Sequence, residues 1–151
     1  MIRDQIKAAQ VAAMKAGDKP RTAAIRLILS GIKNRDIELR TAGQPPEDDA
    51  LVTEVLQKMI KQRRESIAMY EQGGRAELAD AEKAEVAVIE DFLPRQMSEE
   101  ETGAAIEGIV AETGASSVKD MGRVMALLKE RHASALDMSK ASALVRARLS
   151  A

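Results

Sequence analysis

The sequence of 151 residues contains no cysteine, no tryptophan, one histidine, one tyrosine and one phenylalanine. Without cysteine there can be no disulfide, thiol nucleophile or cysteine-ligated zinc, and a single His132 excludes a site built from several histidines. We therefore expect no metal and no cofactor. Tyr70 and Phe92 both fall on apolar helix stripes, so no aromatic platform remains for stacking unpaired bases, which disfavours sequence-specific recognition of single-stranded RNA.

The sequence also lacks membrane segments and the common catalytic motifs. No apolar run approaches the roughly 20 residues of a membrane span, and the start, MIRDQIKAAQ, is polar where a signal peptide is apolar. We expect a cytoplasmic protein. No Walker loop, dinucleotide fingerprint, nucleophile elbow or histidine triad occurs, so we name no catalytic residue. Gly73–Arg75 fits a helix stop better than a phosphate loop, and His132 fits a helix C-terminus better than a catalytic base.

What the sequence does contain is typical of helices. Hydrophobic residues make up 45% and charged residues 31%, and Ala, Glu, Lys, Arg, Leu and Met are strong helix formers. No segment alternates like a strand. The fold class is therefore all-α, with an antiparallel four-helix unit over residues 1–95 and a smaller three-helix domain over residues 96–151.

Glycine, proline and capping residues divide the chain into seven predicted helices. Gly17 ends the first helix, and Asp18 caps the second, which carries Pro20 in its first turn. Ser98 and Glu101 form a capping-box pattern, and Asp137 caps the last helix. The predicted helices run over residues 2–16, 19–40, 48–72, 76–92, 99–114, 118–131 and 138–149.

The net charge of −1 hides a segregation along the chain. Residues 1–75 carry 14 basic and 10 acidic side chains, residues 76–118 carry 2 and 11, and residues 119–151 carry 7 and 3. Such asymmetry can mark a surface for nucleic acid or an acidic partner, or can simply reflect solvated helix faces of different sign.

Charged residues also fall inside the apolar stripes when the helices are projected at about 100° per residue. Arg63 lies within the stripe of the third helix, Arg21 and Asp36 within the second, and Glu82 and Glu85 within the fourth. Because an unpaired buried charge costs several kcal/mol, we expect Arg63 to be buried and both arginines to pair with some of the three acids. The rival interpretation is an acid/base site made of Glu82 and Glu85, but nothing nearby in sequence supplies a nucleophile.

Any RNA contact would rest on phosphates and shape, because aromatic residues are scarce. The candidates in the first unit are Lys58, Lys61 and Arg64. Those in the second domain are Lys119, Arg123, Lys129, Lys140, Arg146 and Arg148.

Four stretches together resemble the YqeY family across nearly the whole chain. The central one is KMIKQRRESIAMYEQGGRAELA, preceded by RTAAIRLILSGIKNRDIE and followed by AEVAVIEDFLPRQMSEEE and KDMGRVM. The family is related to the C-terminal tail domain of the GatB subunit of aspartyl/glutamyl-tRNA amidotransferase. The resemblance implies an N-terminal bundle and a small C-terminal domain, as drawn above.

The resemblance also implies a function. In the GatB subunit the tail engages tRNA while the chemistry lies elsewhere, so a label of carbon-nitrogen ligase with glutamine as amido-N-donor would be inherited. Three hypotheses remain: a non-catalytic module that interacts with tRNA or an amidotransferase, a protein-interaction adaptor, and an enzyme aiding transamidation of misacylated tRNA. If the tail analogy holds, RNA docks on the KDMGRVM stretch, where Gly122 reflects either close helix packing or close approach of a ligand backbone.

Overall fold

A computed structural model describes residues 1–150 and shows seven α-helices, with no β-strand among those residues. The all-helical prediction is confirmed. The helices are α1 Ile2–Ala16, α2 Lys19–Glu38, α3 Asp48–Gln72, α4 Ala76–Glu90, α5 Glu99–Thr113, α6 Met121–His132 and α7 Met138–Ser150.

Most helix ends lie where local side-chain chemistry predicts them. Gly17 ends α1 in the left-handed region at φ 70°, which glycine adopts without strain. Asp18 then caps α2 by accepting a hydrogen bond from the Arg21 backbone N–H at 3.1 Å. Both halves of the Ser98–Glu101 capping box form, at 3.0 and 3.3 Å. Each such cap contributes about 1 kcal/mol to its helix.

Three ends differ from the prediction by two residues or more, and the ends of α5, α6 and α7 differ by one residue each. The α2 helix stops at Glu38 and continues as a 3₁₀ turn over Leu39–Thr41. The predicted start of the sixth helix is a separate 3₁₀ turn, Val118–Asp120, ahead of α6. Tight i→i+3 turns of this kind commonly satisfy the free backbone groups at helix ends. The α4 helix ends at Glu90, two residues before the predicted end at Phe92.

Two compact units divide the chain, Met1–Leu93 and Pro94–Ala151. In unit 1, α1 to α4 pack around a core of isoleucine, leucine and valine side chains. Its fully buried members include Ile6, Ile25, Ile28, Val52, Leu56 and Ile89.

Unit 2 has its own core, formed where α5, α6 and α7 pack together. Val124, Leu128 and Val145 are fully shielded from solvent, and Ile106 and Ile109 contribute from α5. This core fixes which sides of α6 and α7 remain outside, and therefore positions the basic residues of the C-terminal unit.

Candidate functional site

Charge in unit 2 is divided between its helices. Five of its acids, Glu99, Glu100, Glu101, Glu107 and Glu112, belong to α5, whereas most of its bases belong to α6, α7 and the turn before α6. Every predicted basic candidate in this unit is exposed. A basic surface on α6 and α7 therefore depends on which of these bases the α5 acids neutralise.

Ion pairs within unit 2 occupy two of the predicted RNA-binding arginines. Arg148 donates a hydrogen bond to Glu107 of α5, and Arg123 pairs with Asp120 at 3.0 Å. These two arginines would have to exchange an acid for a phosphate to bind RNA, and their assignment as RNA contacts stays a prediction. Lys119, Lys129, Lys140 and Arg146 make no salt bridge within residues 1–150.

Helix geometry brings three of the candidates to one side. Arg131 binds Glu112 of α5 through two hydrogen bonds of 2.8 Å, so its side of α6 faces α5, as the Arg148 side of α7 does. Gly122 lies about 180° around α6 from Arg131, and Arg146 lies about 200° around α7 from Arg148. The side of α6 and α7 turned away from α5 therefore carries the exposed residues Gly122, Lys129, Arg146 and the small Ala126 and Ala143. We call this surface the α6–α7 face.

Gly122 itself is not explained by packing. A Cβ atom built on this glycine meets no heavy atom within 4 Å, so the interpretation that a neighbouring helix requires glycine here is wrong. Its φ is not positive either, since the only such glycines among the described residues are Gly17, Gly74 and Gly114. Nothing inside unit 2 therefore requires glycine at this position.

Replacing Gly122 with alanine should stabilise unit 2 by about 0.5 kcal/mol, because alanine reduces the conformational entropy of the unfolded chain and adds no clash. Amide hydrogen exchange of α5, α6 and α7 in the variant and the wild type measures the change in unit 2. Gly108, which is equally open in α5, provides the matched control and should show a gain of similar size. A loss of stability at Gly122 alone would contradict the open geometry.

The backbone ahead of the α6–α7 face is held by Asp120. Its carboxylate accepts hydrogen bonds from the backbone N–H groups of Ser116 and Ser117, at 2.9 and 3.2 Å. These two bonds, together with the nearby Arg123 charge, hold the pKa of Asp120 below its usual value. The turn that carries Lys119 is thereby fixed to the start of α6.

The basic candidates of unit 1 lie in mixed surroundings. Arg64 pairs with Glu90 at 3.0 Å. Lys58 and Lys61 are exposed and share one side of α3 with Glu54 and Glu65, at successive helical spacings. The basic candidates of unit 1 therefore do not form a continuous positively charged surface.

The predicted buried ion network forms only in part. Arg63 donates a hydrogen bond to Glu85 at 3.0 Å, and its side chain is 16% exposed, so it is largely but not fully buried. Arg21 pairs instead with Asp91 at 3.0 Å and stacks 5.8 Å from the centroid of the Phe92 ring. Arg21 lies in the first turn of α2 with its side chain 34% exposed, and Asp91 directly follows the end of α4.

Asp36 belongs to a cluster that sequence analysis missed. The Arg3 guanidinium donates to Asp36 at 2.8 and 3.0 Å and to Asp48 at 2.8 to 3.2 Å. Asp49 accepts a hydrogen bond from the Ile2 backbone N–H at 2.9 Å. The Arg3 hydrogen bond lowers the pKa of Asp36, and the charges of Lys7 and Arg40 lower it further. The cluster ties the start of α1 to the end of α2 and the start of α3.

Glu82 and Glu85, the two carboxylates of the acid/base interpretation, have different hydrogen-bond partners. Glu85 is held by Arg63, whereas the Oε2 atom of Glu82 is buried without a hydrogen-bond partner. Glu85 also lines a groove of about 430 Å³ between the start of α2 and α4. The other residues that line the groove are mostly small. They are Asp18, Pro20, Arg21, Ala23, Ala24, Ala81, Ala84 and Val88. Among residues 1–150 no group of three or more His, Asp or Glu side chains could hold a metal ion.

Comparison with known proteins identifies relatives of this chain. It is 33% identical over 102 residues to the "Altered inheritance of mitochondria protein 41, mitochondrial" of Lachancea thermotolerans, an alignment covering 66% of this chain and 53% of that protein. The Kluyveromyces lactis protein of the same name is 33% identical over 103 residues, covering 66% and 54%. The Saccharomyces cerevisiae protein is 33% identical over 81 residues, covering 54% and 42%.

The chain thus spans about half the length of the curated relatives it matches. Their names place those proteins in mitochondria, so the cytoplasmic location of this chain stays a prediction. Within residues 1–150, no helix has the length and apolar character needed to cross a membrane. The profile of the family described as Yqey-like protein matches residues 3–149, and the chain therefore belongs to the YqeY family.

Proposed function

We propose that this chain is a non-catalytic, stand-alone GatB/YqeY-type module that binds tRNA through unit 2. In this proposal it acts in association with a tRNA-dependent amidotransferase. The carbon-nitrogen ligase chemistry, with glutamine as amido-N-donor, belongs to that partner enzyme and not to this chain.

The observation that carries the proposal is the open space at Gly122 on a face of unpaired cations. A helical glycine costs up to about 1 kcal/mol relative to alanine, and no intramolecular contact compensates for it. Close approach of a ligand backbone would explain this glycine, and unlike the equally open Gly108 of the acidic α5, Gly122 lies on a face with unpaired cations. The nearby Lys129 and Arg146 supply positive charge, and the small Ala126 and Ala143 leave the surface accessible.

This surface suits phosphates better than bases. Residues 94–151 contain no phenylalanine, tyrosine or tryptophan, so unpaired bases find no ring on which to stack. Lysine and arginine contacts to phosphate oxygens position an RNA without reading its sequence. We expect recognition of the folded shape of tRNA and strong dependence on salt.

The test is tRNA binding by a variant in which Lys119, Lys129 and Arg146 are changed to alanine. Each lost phosphate contact reduces the slope of log affinity against log salt by roughly 1, so the slope should fall by about 2 to 3 and the affinity by at least about tenfold. Fluorescence anisotropy of labelled tRNA across a salt series measures both quantities. Gly122→Ala should also weaken binding while leaving unit 2 folded.

The matched control changes Arg123, Lys140 and Arg148 to alanine. It removes the same charge from the same unit, but Arg123 and Arg148 are engaged by acids and Lys140 lies within about 80° of Arg148 around α7. Its affinity should stay within about threefold of the wild type. Equal losses in both variants would mean that net charge, not the α6–α7 face, drives binding. No salt-sensitive binding by the wild type would refute the tRNA proposal.

A further inference from the structure

The solvent-facing side of α2 carries basic residues at seven-residue intervals. Lys19, Arg26 and Lys33 lie on the helix, and Arg40 follows in the 3₁₀ turn at its end. Seven residues are close to two turns, so neighbouring members of this row are about 10.5 Å apart along the axis. All four side chains are exposed, and none makes a salt bridge within the described residues 1–150.

A second row runs beside the first on the same side of α2. Ala23, Ser30 and Ile37 repeat at the same interval, offset by four residues from the bases, and Leu27 lies next to them. Ile37 is 45% exposed and Leu27 is 47% exposed, which is high for large apolar side chains. The outer side of α2 is therefore amphipathic, with a basic row beside a row of small and apolar residues.

The acids of α2 do not neutralise this face. Asp36 is turned toward Arg3 at 2.8 Å, and Glu38 is bound by Arg35 at 2.9 Å. Between residues 19 and 35 the helix contains no acid at all. Lys7 of α1 adds to the positive charge at the Arg40 end, since both residues act on Asp36. The charges that α2 presents on this face are therefore all positive along about 30 Å of helix.

We propose that this outer face of α2 binds an acidic amphipathic helix of a partner protein. A helix lying alongside presents side chains every seven residues, which matches the repeat of both rows. Leu27 and Ile37 provide apolar anchors, and the bases pair with acids on the partner. A nucleic acid would satisfy the bases but would leave Leu27 and Ile37 against its phosphates. The proposal is independent of RNA binding by unit 2.

Two synthetic helical peptides of about three heptads test the proposal. They have one composition: the matched peptide carries Glu at every seventh position beside a row of Leu, and the rotated peptide carries the same Glu on the face opposite the Leu. The matched peptide should bind the full chain at least about tenfold tighter, and its binding should weaken as salt rises. Fluorescence anisotropy of the labelled peptides gives both affinities.

Variants of the chain locate the binding site. Arg26→Ala with Lys33→Ala, and separately Leu27→Ser with Ile37→Ser, should each weaken binding of the matched peptide by about tenfold. Lys58→Ala with Lys61→Ala removes the same charge from exposed positions on α3 and should leave binding within about twofold. All of these positions are exposed, so thermal unfolding should stay near the wild-type curve and shows that each variant is folded.

Five results would overturn the proposal. Three concern the peptides: equal binding of the two, no binding of either at millimolar concentration, and an equal loss in the α3 control. The fourth is a dimer in sedimentation that Leu27→Ser with Ile37→Ser dissociates, which would show that a second copy covers the face. The fifth concerns tRNA. If Arg26→Ala with Lys33→Ala weakens tRNA binding but not peptide binding, the face contacts nucleic acid and the proposal fails. Failure of the tRNA test in unit 2 leaves the peptide result unaffected.

Discussion

Changing Leu128 to alanine should destabilise unit 2 by about 3 kcal/mol. The Leu128 side chain is fully buried at the centre of the core where α5, α6 and α7 meet. Alanine removes the apolar contacts of the leucine and leaves a cavity that the surrounding helices fill only in part. The effect is large for this unit, because a segment shorter than 60 residues buries only a modest core.

Amide hydrogen exchange measures this change where it occurs. Protected amides of α5, α6 and α7 report the free energy of opening of unit 2, whereas a probe of the whole chain would mix both units. Leu128→Met keeps most of the volume and should cost less than about 1.5 kcal/mol. A loss below about 1 kcal/mol for the alanine variant would show that the site collapses around the smaller side chain.

Changing Arg3 to alanine should destabilise unit 1 by about 2 kcal/mol. The substitution removes charge-assisted hydrogen bonds to two carboxylates and leaves both acids next to each other without a cation. Partial exposure, 39% for the Asp36 side chain and 30% for Asp48, keeps the cost below that of a fully buried pair. Amide hydrogen exchange of α1, α2 and α3 in the variant gives the loss in unit 1. Lys7→Ala, an exposed base of the same helix, should change stability by less than about 0.5 kcal/mol.

Acid should remove the contribution of this cluster. The pKa of Asp36 is lowered in the folded chain, so its stabilisation is fully present above its unfolded pKa of about 3.9. It is lost as the pH falls through the lower folded pKa, where Asp36 takes up a proton in the native state. Asp36→Asn should therefore be less stable than the wild type at pH 6, and the difference should shrink as the pH falls below about 3.9. A constant difference across that range would mean that charge contributes nothing.

Local chemistry explains why the helices were predictable. Helix ends depend on residues that act on their own turn, either through backbone conformation or through a hydrogen bond to a neighbouring N–H. Their effect is therefore visible within a few residues of sequence, as for Gly17, Asp18, Ser98 and Asp137. The apolar stripes likewise identify the core side of each helix. The end of α2 and the start of α6 differ because 3₁₀ turns lie there, and the spacing of such turns in sequence hardly differs from that of an α-helix.

Long-range pairs were less predictable, because helix projection gives a direction but not a partner. Arg63 and Glu85 both face the same interior, and their pairing follows from that. The apolar stripes do not predict the Arg3 cluster, although Arg3 stands next to the buried Ile2 at the edge of the α1 stripe. That position beside a core residue, together with the acids that open α3, was the available signal. Its partners lie 33 and 45 residues away, a separation that no local pattern encodes.

The same limit applies to the candidate RNA-binding residues. Sequence reasoning identified the exposed bases of α6 and α7 but could not tell Arg146 from Arg148, which are two residues apart and on opposite sides of α7. Only the packing of α5 separates them, because its acids reach one side alone. Gly122 was identified, but excluding helix packing as its cause required the space around it.

The acids of α5 have a consequence for how such a surface can evolve. Glu107 and Glu112 hold Arg148 and Arg131 in place, and the whole unit carries eight basic and eight acidic residues. Its capacity to attract an anion is therefore set by pairing and not by composition. Under the proposed function, loss of one α5 acid would release an arginine and strengthen attraction for phosphate without altering any residue that touches RNA. Affinity for RNA could then change through substitutions in α5, which lies on the side of unit 2 opposite the α6–α7 face. Such substitutions would not disturb the residues that contact RNA.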